Sequence, residues 1–375
     1  MTKFAEKLLI EKISVPGFHK VVRAQDPSSG LDAIIAIHDT RLSKVALGGT
    51  RIRKYASFEE ALIDVLRLAE GMTYKSVAAQ CPWAGGKSVI IADPATEKTR
   101  DLLLSFGQAI QALNGEMICA EDAGTTPEDI SIIAEQTPFT VGLPHEKSSG
   151  NPSPFTAWGV FRGLQAVMFQ LFGSDSVKGK TIAIQGLGSV GSRLAELLFW
   201  HGARLIVTDI HKEKAAEIAK RFGAHLVEPN EIYDQPCDIF CPCGLGGIIN
   251  PVTIERLRCR AIAGAANNQL LTEADGEELR RVGILYAPDF VINAGGLINV
   301  TEETTLDGYN PFIVRNKLDT IYDQLNLVFK IARENSISTQ KAVMQLIDYR
   351  LKHGIGKRQE TIYMHHAEIN YDDHF

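Results

Sequence analysis

The chain has 375 residues, of which 45% are apolar and 22% charged, and its net charge is −6 at pH 7. This length exceeds what a single core usually holds, so two domains are expected. The mild acidity argues against a nucleic-acid or membrane-surface role, which would need a basic patch, and no apolar run is long enough to span a bilayer. Six cysteines do not make a disulfide scaffold in a chain of this size, and the first residues lack a signal-peptide pattern. We therefore expect a reducing, cytoplasmic location.

Short strands and helices alternate in the first third of the chain. The stretches "HKVVRAQD" and "LDAIIAIHD" flank the turn-rich "PSSG", which predicts a hairpin. Ser57 and Glu60 form a capping box in front of apolar residues at helical spacing. The strand "SVIIA", a helix over Asp101–Leu113, the strand "MICAE" and a helix that begins in "TTP" are predicted next.

A Gly/Ser/Pro-rich stretch, "SSGNPSPFT", predicts a linker or hinge before a helix over Phe155–Phe172. From Lys180 the stretches "TIAIQ", "GSRLAELLFWHG" and "RLIVTD" predict a βαβ unit and hence a parallel sheet. We expect "DIFCPC", "AIAGAAN" and "GILYAPDFVINAGG" to extend that sheet, and two long helical stretches to follow Pro311. The polar tail "MHHAEINYDDHF" is expected to be frayed.

A complete G-x-G-x-x-G motif lies in "QGLGSVG", directly after a predicted strand and at the start of a predicted helix. The three glycines permit a tight turn, close approach of a pyrophosphate to the backbone, and close packing of helix on strand, and the helix N-terminus attracts the anion. Asp209 ends the next strand, where an acid binds the ribose 2′-OH and repels a 2′-phosphate, which favours NAD over NADP. A glycine-rich turn without a ligand is the alternative. The motif residues predicted to bind the cofactor are Gly186, Leu187, Gly188, Ser189, Val190 and Gly191.

Two lysines and an acid, Lys75, Lys87 and Asp122, lie at boundaries of predicted elements, where active-site residues are often found. Two neighbouring ammonium groups and burial both lower the pKa of a lysine toward neutrality, so that it can act as a general base. The other lysine can hold a substrate carboxylate, and the acid can exchange protons with a substrate nitrogen. Each of these residues also has a structural alternative. Lys75 would interact favourably with the helix dipole, Lys87 would deter pairing of a strand edge with another chain, and Asp122 would be a solvated acid.

An ordered set of stretches resembles the glutamate/leucine/phenylalanine/valine dehydrogenase family, and the leucine dehydrogenase branch is the most similar. The stretches run in family order from about residue 30 to residue 310. They are "AIIAIHDT", "LGGTR", "LRLAEGMTYK", "GGKSVIIADP", "AEDAGTTPED", "SSGNPSPFTAWGVFRG", "QGLGSVG", "DIFCPCGLGGIIN", "AGAANNQL" and "YAPDFVINAGGLINV".

The resemblance implies an α/β fold of two domains separated by a cleft that closes on the substrate. Residues 1–147 would form an N-terminal α/β substrate domain, and residues 148–329 a Rossmann-type, doubly wound NAD-binding domain. A C-terminal helix of about 330–375 would pack back on the first domain. The implied reaction is reversible oxidative deamination of an L-amino acid to a 2-oxo acid and ammonia with NAD. The implied assembly is a homo-oligomer, either a dimer or an octamer.

The resemblance also assigns roles to single residues. Lys87 matches the general base that activates the water attacking the imine, Lys75 matches the residue that binds the α-carboxylate, and Asp122 matches the acid that shuttles protons at the amino group. The further positions that match family contacts are Leu47, Gly48 and Gly49 for the substrate and Thr156, Asn268 and Asp209 for the cofactor.

The side-chain preference follows from four positions that the resemblance places around the substrate side chain. These positions are Leu47, Ala120, Leu297 and Val300. Most of them are similar to the leucine-type pocket, so branched-chain substrates are expected first. Leu297 replaces a smaller valine and is similar to the aromatic-preferring relatives, which makes aromatic amino acids the alternative; one methylene changes discrimination by about 1–3 kcal/mol. The family usually has three glycines before the lysine, whereas here the first of them is Ala84, preceded by Trp83, and either a changed pocket or harmless repacking fits this difference.

A catalytically inactive, NAD-binding regulatory relative is a hypothesis from another class. The joint presence of Lys75, Lys87 and Asp122 argues against it, because an inactive protein does not need all three.

The remaining cysteines and histidines give no metal prediction. Cys237, Cys241 and Cys243 have a C-x₃-C-x-C spacing that is not typical of zinc sites, and Cys243 resembles a family cysteine near the cofactor. The tail histidines His365, His366 and His374 are expected to be exposed to solvent rather than to bind a metal.

Overall fold

The computed structural model describes residues 8–144 and 147–371. The chain divides into two compact units. The first comprises Met1–Asn151, Val300–Pro311 and Arg350–Phe375, and the second comprises Pro152–Asn299 and Phe312–Tyr349. Among the described residues no helix is long and apolar enough to cross a membrane.

The first unit is built on a mixed six-stranded sheet with the order β1-β2-β3-β5-β4-β6. Its strands are β1 (Leu9–Lys12), β2 (Lys20–Asp26), β3 (Leu31–Ile37), β4 (Ala46–Arg53), β5 (Ala84–Ile91) and β6 (Met117–Glu121). The predicted hairpin is confirmed, since β2 and β3 pair antiparallel. Strand β4 runs parallel to both β5 and β6, so the carboxyl ends of these three strands point the same way.

Three helices accompany this sheet: α1 (Phe58–Ala78), α2 (Arg100–Gln111) and α3 (Pro127–Ala134). Ser57 caps α1 as predicted, because its hydroxyl accepts the N–H of Glu60 at 3.2 Å. The Glu60 carboxylate accepts instead from Ala56 N–H, one residue before the expected partner. Helix α1 lies against β5 at Gly85, where an added Cβ would be 2.2 Å from Thr73 Oγ1. Only glycine allows this close approach.

The second unit contains an all-parallel six-stranded sheet with the order β12-β11-β10-β7-β8-β9. Its strands are β7 (Thr181–Gln185), β8 (Arg204–Thr208), β9 (His225–Leu226), β10 (Ile239–Pro242), β11 (Ala261–Ile262) and β12 (Leu285–Tyr286). The strand order reverses between β7 and β10, as in a doubly wound Rossmann fold, and the predicted fold class is therefore confirmed.

In the second unit one helix precedes the first strand, and further helices lie between the strands and after them. They are α4 (Ser153–Phe172), α5 (Ser189–Trp200), α6 (Lys212–Phe222), α7 (Pro251–Arg256), α8 (Glu273–Arg281) and α9 (Asp289–Ile292), followed by α10 (Gly295–Glu302), which continues into the first unit. Helices α11 (Pro311–Lys317), α12 (Thr320–Asn335) and α13 (Thr339–His353) precede the short strands β13 (Ile362–Met364) and β14 (Ile369–Tyr371).

Two element predictions need correction, and one is confirmed with an addition. Only Leu285–Tyr286 of "GILYAPDFVINAGG" is a strand, because Pro288 ends it and Asp289 begins a helix. The two long helices predicted after Pro311 are confirmed as α12 and α13, and a short helix, α11, precedes them. Helix α4 begins at Ser153, inside the predicted linker, where prolines suit a first helical turn.

The prediction of a frayed tail is wrong for the described residues. Strands β13 and β14 pair antiparallel, and Met364 is buried. His365 is half-buried with Nε2 2.8 Å from the Thr305 carbonyl, and His366 is half-buried with Nε2 3.3 Å from Thr140 Oγ1. Alternate burial of Ile362 and Met364 explains the order of this segment, because one face of the hairpin is apolar. His374 lies outside the described residues.

Candidate active site

Lys87 lies in the interior of the first sheet. Strand β5 begins at Ala84, four residues before the predicted strand, so Lys87 is a strand residue rather than the residue in front of one. It is only 5% exposed. Neighbouring strands approach closely here, since a Cβ at Gly48 would be 1.8 Å from the Gly86 carbonyl oxygen. The glycines thus make room for backbone, and Lys87 is held by a rigid element.

Lys87 and Asp122 form an ion pair, with Nζ 2.7 Å from Oδ1. Strand register explains why Lys87 and Asp122 are close to each other. Thr50 of β4 is opposite Ser88 of β5 on one side and opposite Glu121 of β6 on the other. Lys87 precedes Ser88 by one residue, and Asp122 follows Glu121 by one residue, so both lie near Thr50 in the sheet. The structure brings together two side chains that the sequence assigned to one site.

A charged network extends from this pair and was missed in the sequence. Arg51 places Nε 2.9 Å from Asp122 Oδ2 and Nη1 3.0 Å from Asp64 Oδ2. The Tyr55 hydroxyl donates to the same Asp64 oxygen at 2.6 Å. The sequence feature that could have indicated this network is Arg51, a charged residue at the end of the otherwise uncharged stretch "LGGTR".

The network controls the ionisation of Asp122. Burial by itself would raise the pKa of this carboxyl, but the charges and hydrogen bonds of Lys87 and Arg51 lower its pKa to about 2. Burial opposes charge on Arg51 too, yet Asp122 and Asp64 raise its pKa above the ordinary value. Asp122 is therefore a carboxylate at neutral pH, held between two cations.

The predicted substrate glycines border this pair. A Cβ at Gly49 would be 2.8 Å from Asp122 Cβ and 3.2 Å from Lys87 Nζ. Ala120 is the register partner of Gly49 on β6. Leu47 is buried on the same strand as Gly49. The absence of a side chain at Gly49 thus allows the side chains of Asp122 and Lys87 to approach β4 closely.

Lys75 lies in the last turn of α1, the helix that packs on Gly85. It is half-buried. The sequence argument for a perturbed Lys87 relied on two neighbouring ammonium groups; the structure adds the carboxylate of Asp122 as a charged partner of Lys87.

Trp83 is a buried junction within the first unit. It is 1% exposed, its Nε1–H donates to Thr301 Oγ1 at 2.9 Å, and the Arg358 guanidinium lies 3.9 Å from its ring centre. Arg358 also donates from Nε to the Pro82 carbonyl at 3.0 Å. Trp83, which precedes the altered glycine run, therefore joins three separated segments of this unit.

The predicted cofactor loop has the geometry that its glycines require. Gly186 has φ +96°, and a Cβ there would be 2.8 Å from Gly244 N. A Cβ at Gly191 would be 2.0 Å from the Gly186 carbonyl oxygen. Gly188 differs from both, because nothing lies within 4 Å of its Cβ position at the start of α5. This open space at a helix N-terminus fits the pyrophosphate of NAD.

Asp209 lies directly against this loop. Its Oδ2 accepts the Leu187 N–H at 2.6 Å, and its Oδ1 accepts the His211 N–H at 2.8 Å. A carboxylate oxygen has two lone pairs, so both oxygens retain the capacity to accept a further hydrogen bond from a ribose hydroxyl. The acid and the glycine loop that the sequence separated by a helix thus form one site.

Other predicted contacts lie elsewhere in the second unit. Thr156 on α4 lies beside Gly296, where a Cβ would be 3.1 Å from Thr156 Oγ1. Asn268 has φ +50°, and its carbonyl accepts the Gly247 N–H at 2.7 Å. Leu297 is buried on α10 in this unit, whereas Val300, on the same helix, belongs to the first unit.

Cys243 packs under the glycine loop. Its Cβ is 3.2 Å from the Cβ position at Gly191, and its sulfur is 3.7 Å from that of Cys241. In residues 8–144 and 147–371 no three His, Cys, Asp or Glu side chains are grouped to hold a metal ion.

Two parts of the chain match family profiles. Residues 18–139 match "Glu/Leu/Phe/Val dehydrogenase, dimerisation domain", and residues 207–306 match "Glutamate/Leucine/Phenylalanine/Valine dehydrogenase". The leucine dehydrogenase of Geobacillus stearothermophilus is 51% identical over 89% of this chain and 91% of its own length. The phenylalanine dehydrogenase of Caldalkalibacillus thermarum is 47% identical over 89% and 91%, respectively.

The crystal structure of L-tryptophan dehydrogenase from Nostoc punctiforme has a similar fold, with a TM-score of 0.77 and 43% identity. The match covers 90% of this chain and 97% of that chain. Together with the profiles, these similarities confirm the resemblance drawn from the motifs. The chain belongs to the glutamate/leucine/phenylalanine/valine dehydrogenase family and is an NAD-dependent amino-acid dehydrogenase.

Proposed function

We propose that this chain catalyses the reversible oxidative deamination of a branched-chain L-amino acid (leucine, valine or isoleucine) to a 2-oxo acid and ammonia with NAD. The contact that carries the proposal is the 2.7 Å ion pair of Lys87 and Asp122 in a buried strand environment. A paired base and acid next to small residues suits proton transfer at a substrate nitrogen and at an attacking water. The 51% identity to a leucine dehydrogenase supports the branched-chain assignment.

Each charged residue has a distinct role in this proposal. Lys75 holds the α-carboxylate of the substrate by a charge-assisted hydrogen bond. Asp122 accepts a proton from the substrate amino group, and Lys87 takes a proton from the water that attacks the imine carbon. NAD, when bound, accepts the hydride from the substrate Cα. The short Lys87–Asp122 distance allows a proton to pass between the two groups without a mediating water.

The cofactor contacts in this proposal are the loop Gly186–Gly191 and Asp209, with Thr156 and Asn268 at the nicotinamide end. Support comes from the open space at Gly188 and from the contact of Asp209 with Leu187 N–H. An acid at this position disfavours a 2′-phosphate, so the proposal includes a preference for NAD over NADP.

The substrate side chain, in this proposal, meets Leu47, Ala120, Leu297 and Val300. Aromatic amino acids are the second candidate, because Leu297 is larger than the valine of leucine-type pockets and because phenylalanine and tryptophan dehydrogenases are among the relatives. The discrimination at stake for one methylene is about 1–3 kcal/mol.

Domain roles and assembly are also part of the proposal. We assign substrate binding to the unit that contains residues 1–147 and NAD binding to the unit that contains most of residues 148–329. Of the C-terminal 330–375, Arg350–Phe375 belongs to the first of these units and the residues up to Tyr349 belong to the second. Because residues 18–139 match a profile described as a dimerisation domain, we propose a homo-oligomer, either a dimer or an octamer, in the cytoplasm.

The test is NADH formation by the purified chain with NAD and a panel of L-amino acids. Leucine, valine and isoleucine are expected to give the highest kcat/KM. Lys87→Ala should abolish turnover while NADH affinity stays nearly unchanged, and Lys54→Ala, at an exposed position of the same unit, is the matched control. Near-normal deamination by Lys87→Ala would refute the assigned base, and a flat trace with every amino acid would favour the inactive, NAD-binding relative.

A further inference from the structure

We propose that Arg51 is a positioning residue for the Lys87–Asp122 pair: it clamps Oδ2 of Asp122 so that Oδ1 faces Lys87. The inference rests on the proposed function and names a residue that acts on that chemistry through Asp122. Arg51 Nε lies 2.9 Å from Oδ2, while Lys87 Nζ lies 2.7 Å from Oδ1. The two cations thus divide the two oxygens of one carboxylate between them, which fixes its rotation.

The position of Arg51 in the sheet makes this clamp rigid. Strand β4 lies between β5, which carries Lys87, and β6, which ends just before Asp122. Asp122 is fixed at its backbone as well, because its N–H donates to Thr125 Oγ1 at 2.9 Å. Both ends of the Arg51–Asp122 contact are therefore held by elements of the same sheet.

A second carboxylate supports the guanidinium from its other side. Arg51 Nη1 is 3.0 Å from Asp64 Oδ2, and that oxygen also accepts the Tyr55 hydroxyl at 2.6 Å. Asp64 belongs to α1, so the planar guanidinium of Arg51 connects this helix to Asp122, which directly follows β6. Lysine has the charge but not the fork, and it cannot hold two carboxylates in this geometry.

Arg51 also supplies a charge that does not titrate in the working range. When Lys87 gives up its proton, Asp122 keeps a cationic partner and stays ionised. Glu121, which precedes Asp122, is an acidic neighbour, and burial, Glu128 and Asp122 together raise its pKa. The cation Lys98 lies near the same loop, where it contacts the Gly124 carbonyl at 3.2 Å and pairs with Asp129 at 2.7 Å. Removing Arg51 would leave Lys87 as the one cation that contacts Asp122 in the described network. The negative charge at the site would then be less compensated, which favours the protonated form of the site as a whole and moves its pH dependence upward.

Two substitutions separate geometry from charge. Arg51→Gln removes the cation, and we expect kcat/KM for the amino acid to fall about 100-fold and the rise of kcat/KM with pH to move upward by about one pH unit. Arg51→Lys keeps the cation but not the fork, so kcat should fall about tenfold while the pH profile stays that of the wild type. KM for NAD should be unchanged in both.

Arg53→Gln is the matched control, because Arg53 lies on the same strand with its side chain 56% exposed. It should leave kcat and the pH profile unaltered. The proposal is overturned if Arg51→Gln keeps the wild-type kcat/KM, or if it loses activity without any change of pH profile, since that pattern indicates a merely structural role.

Should Arg51→Gln fail to fold, Asp64→Asn provides the test, because it removes only the support of the guanidinium. A severalfold fall of kcat with unchanged KM for NAD supports the clamp, and a wild-type kcat overturns it. Failure of the proposed function gives a different result: the wild-type chain, with Arg51 intact, would then oxidise none of the amino acids.

Discussion

Replacing Trp83 should destabilise the first unit through two separable contacts. The indole is 1% exposed, so Trp83→Leu loses buried volume and leaves the Thr301 hydroxyl without its 2.9 Å donor. We expect the free energy of unfolding to fall by about 3 kcal/mol. Trp83→Phe keeps a ring against Arg358 and loses mainly the hydrogen bond, so its cost should be nearer to about 1 kcal/mol.

The cation–π contact is isolated by a double-mutant cycle of Trp83→Leu and Arg358→Met. The guanidinium lies 3.9 Å from the ring centre and Arg358 is 6% exposed, so the pair is desolvated and its coupling energy should be about 2 kcal/mol. Arg358→Met also removes the bond to the Pro82 carbonyl, but this loss occurs with and without Trp83 and cancels in the cycle.

The assay is equilibrium unfolding in urea followed by circular dichroism, at one fixed protomer concentration so that association contributes equally. Phe312 and Arg315 form a matched pair for comparison, since the ring is 68% exposed and the guanidinium is 5.8 Å from its centre. Their cycle should give about 0.5 kcal/mol or less. A Trp83–Arg358 coupling that is no larger than this would refute the reasoning.

Four further outcomes are expected. The pKa of Asp122 is lowered from 3.8 to about 2 on folding, so the group should stabilise the chain by roughly 2 kcal/mol above pH 5 and lose this contribution as the pH falls toward 2; acid unfolding of Asp122→Asn should lack this component. Gly49→Ala places a Cβ 2.8 Å from Asp122 Cβ and 3.2 Å from Lys87 Nζ, and steady-state kinetics should show a loss of kcat of about 100-fold with NADH affinity kept. Asp209→Asn should raise kcat/KM for NADP relative to NAD by about tenfold, and unchanged cofactor preference would contradict the assigned ribose contact. Leu297→Val should raise the ratio of kcat/KM for leucine over phenylalanine by about tenfold, and an unchanged ratio would remove Leu297 from the pocket.

The second unit was largely predictable from sequence because its signals are local. "TIAIQ" and "RLIVTD" form parallel strands around a helix, and the glycines of "QGLGSVG" lie where a positive φ, a close contact and an open helix end require them. The strand predicted in "GILYAPDFVINAGG" extended too far beyond Tyr286, because short apolar runs look the same in a buried helix and in a buried strand. Asp209 was predicted as a cofactor contact, but its hydrogen bond to Leu187 N–H became visible only in the fold.

The sequence by itself determined the fold class, the glycine turn between β7 and α5 and the place of Asp122 just after a strand, because periodicity, glycines and strand boundaries are properties of neighbouring residues. The place of Lys87 inside β5, rather than in front of a strand, was not predicted. Tertiary structure alone decided which charges meet. Arg51 and Asp122 are 71 residues apart, and Trp83 and Thr301 are 218 apart. Strand order and register bring Arg51 and Asp122 together, and burial brings Trp83 and Thr301 together. Neither contact is predicted by a local sequence pattern. The lysine at the centre of the site is thus paired with an acid and supported by an arginine, an arrangement that only the parallel alignment of β4, β5 and β6 creates.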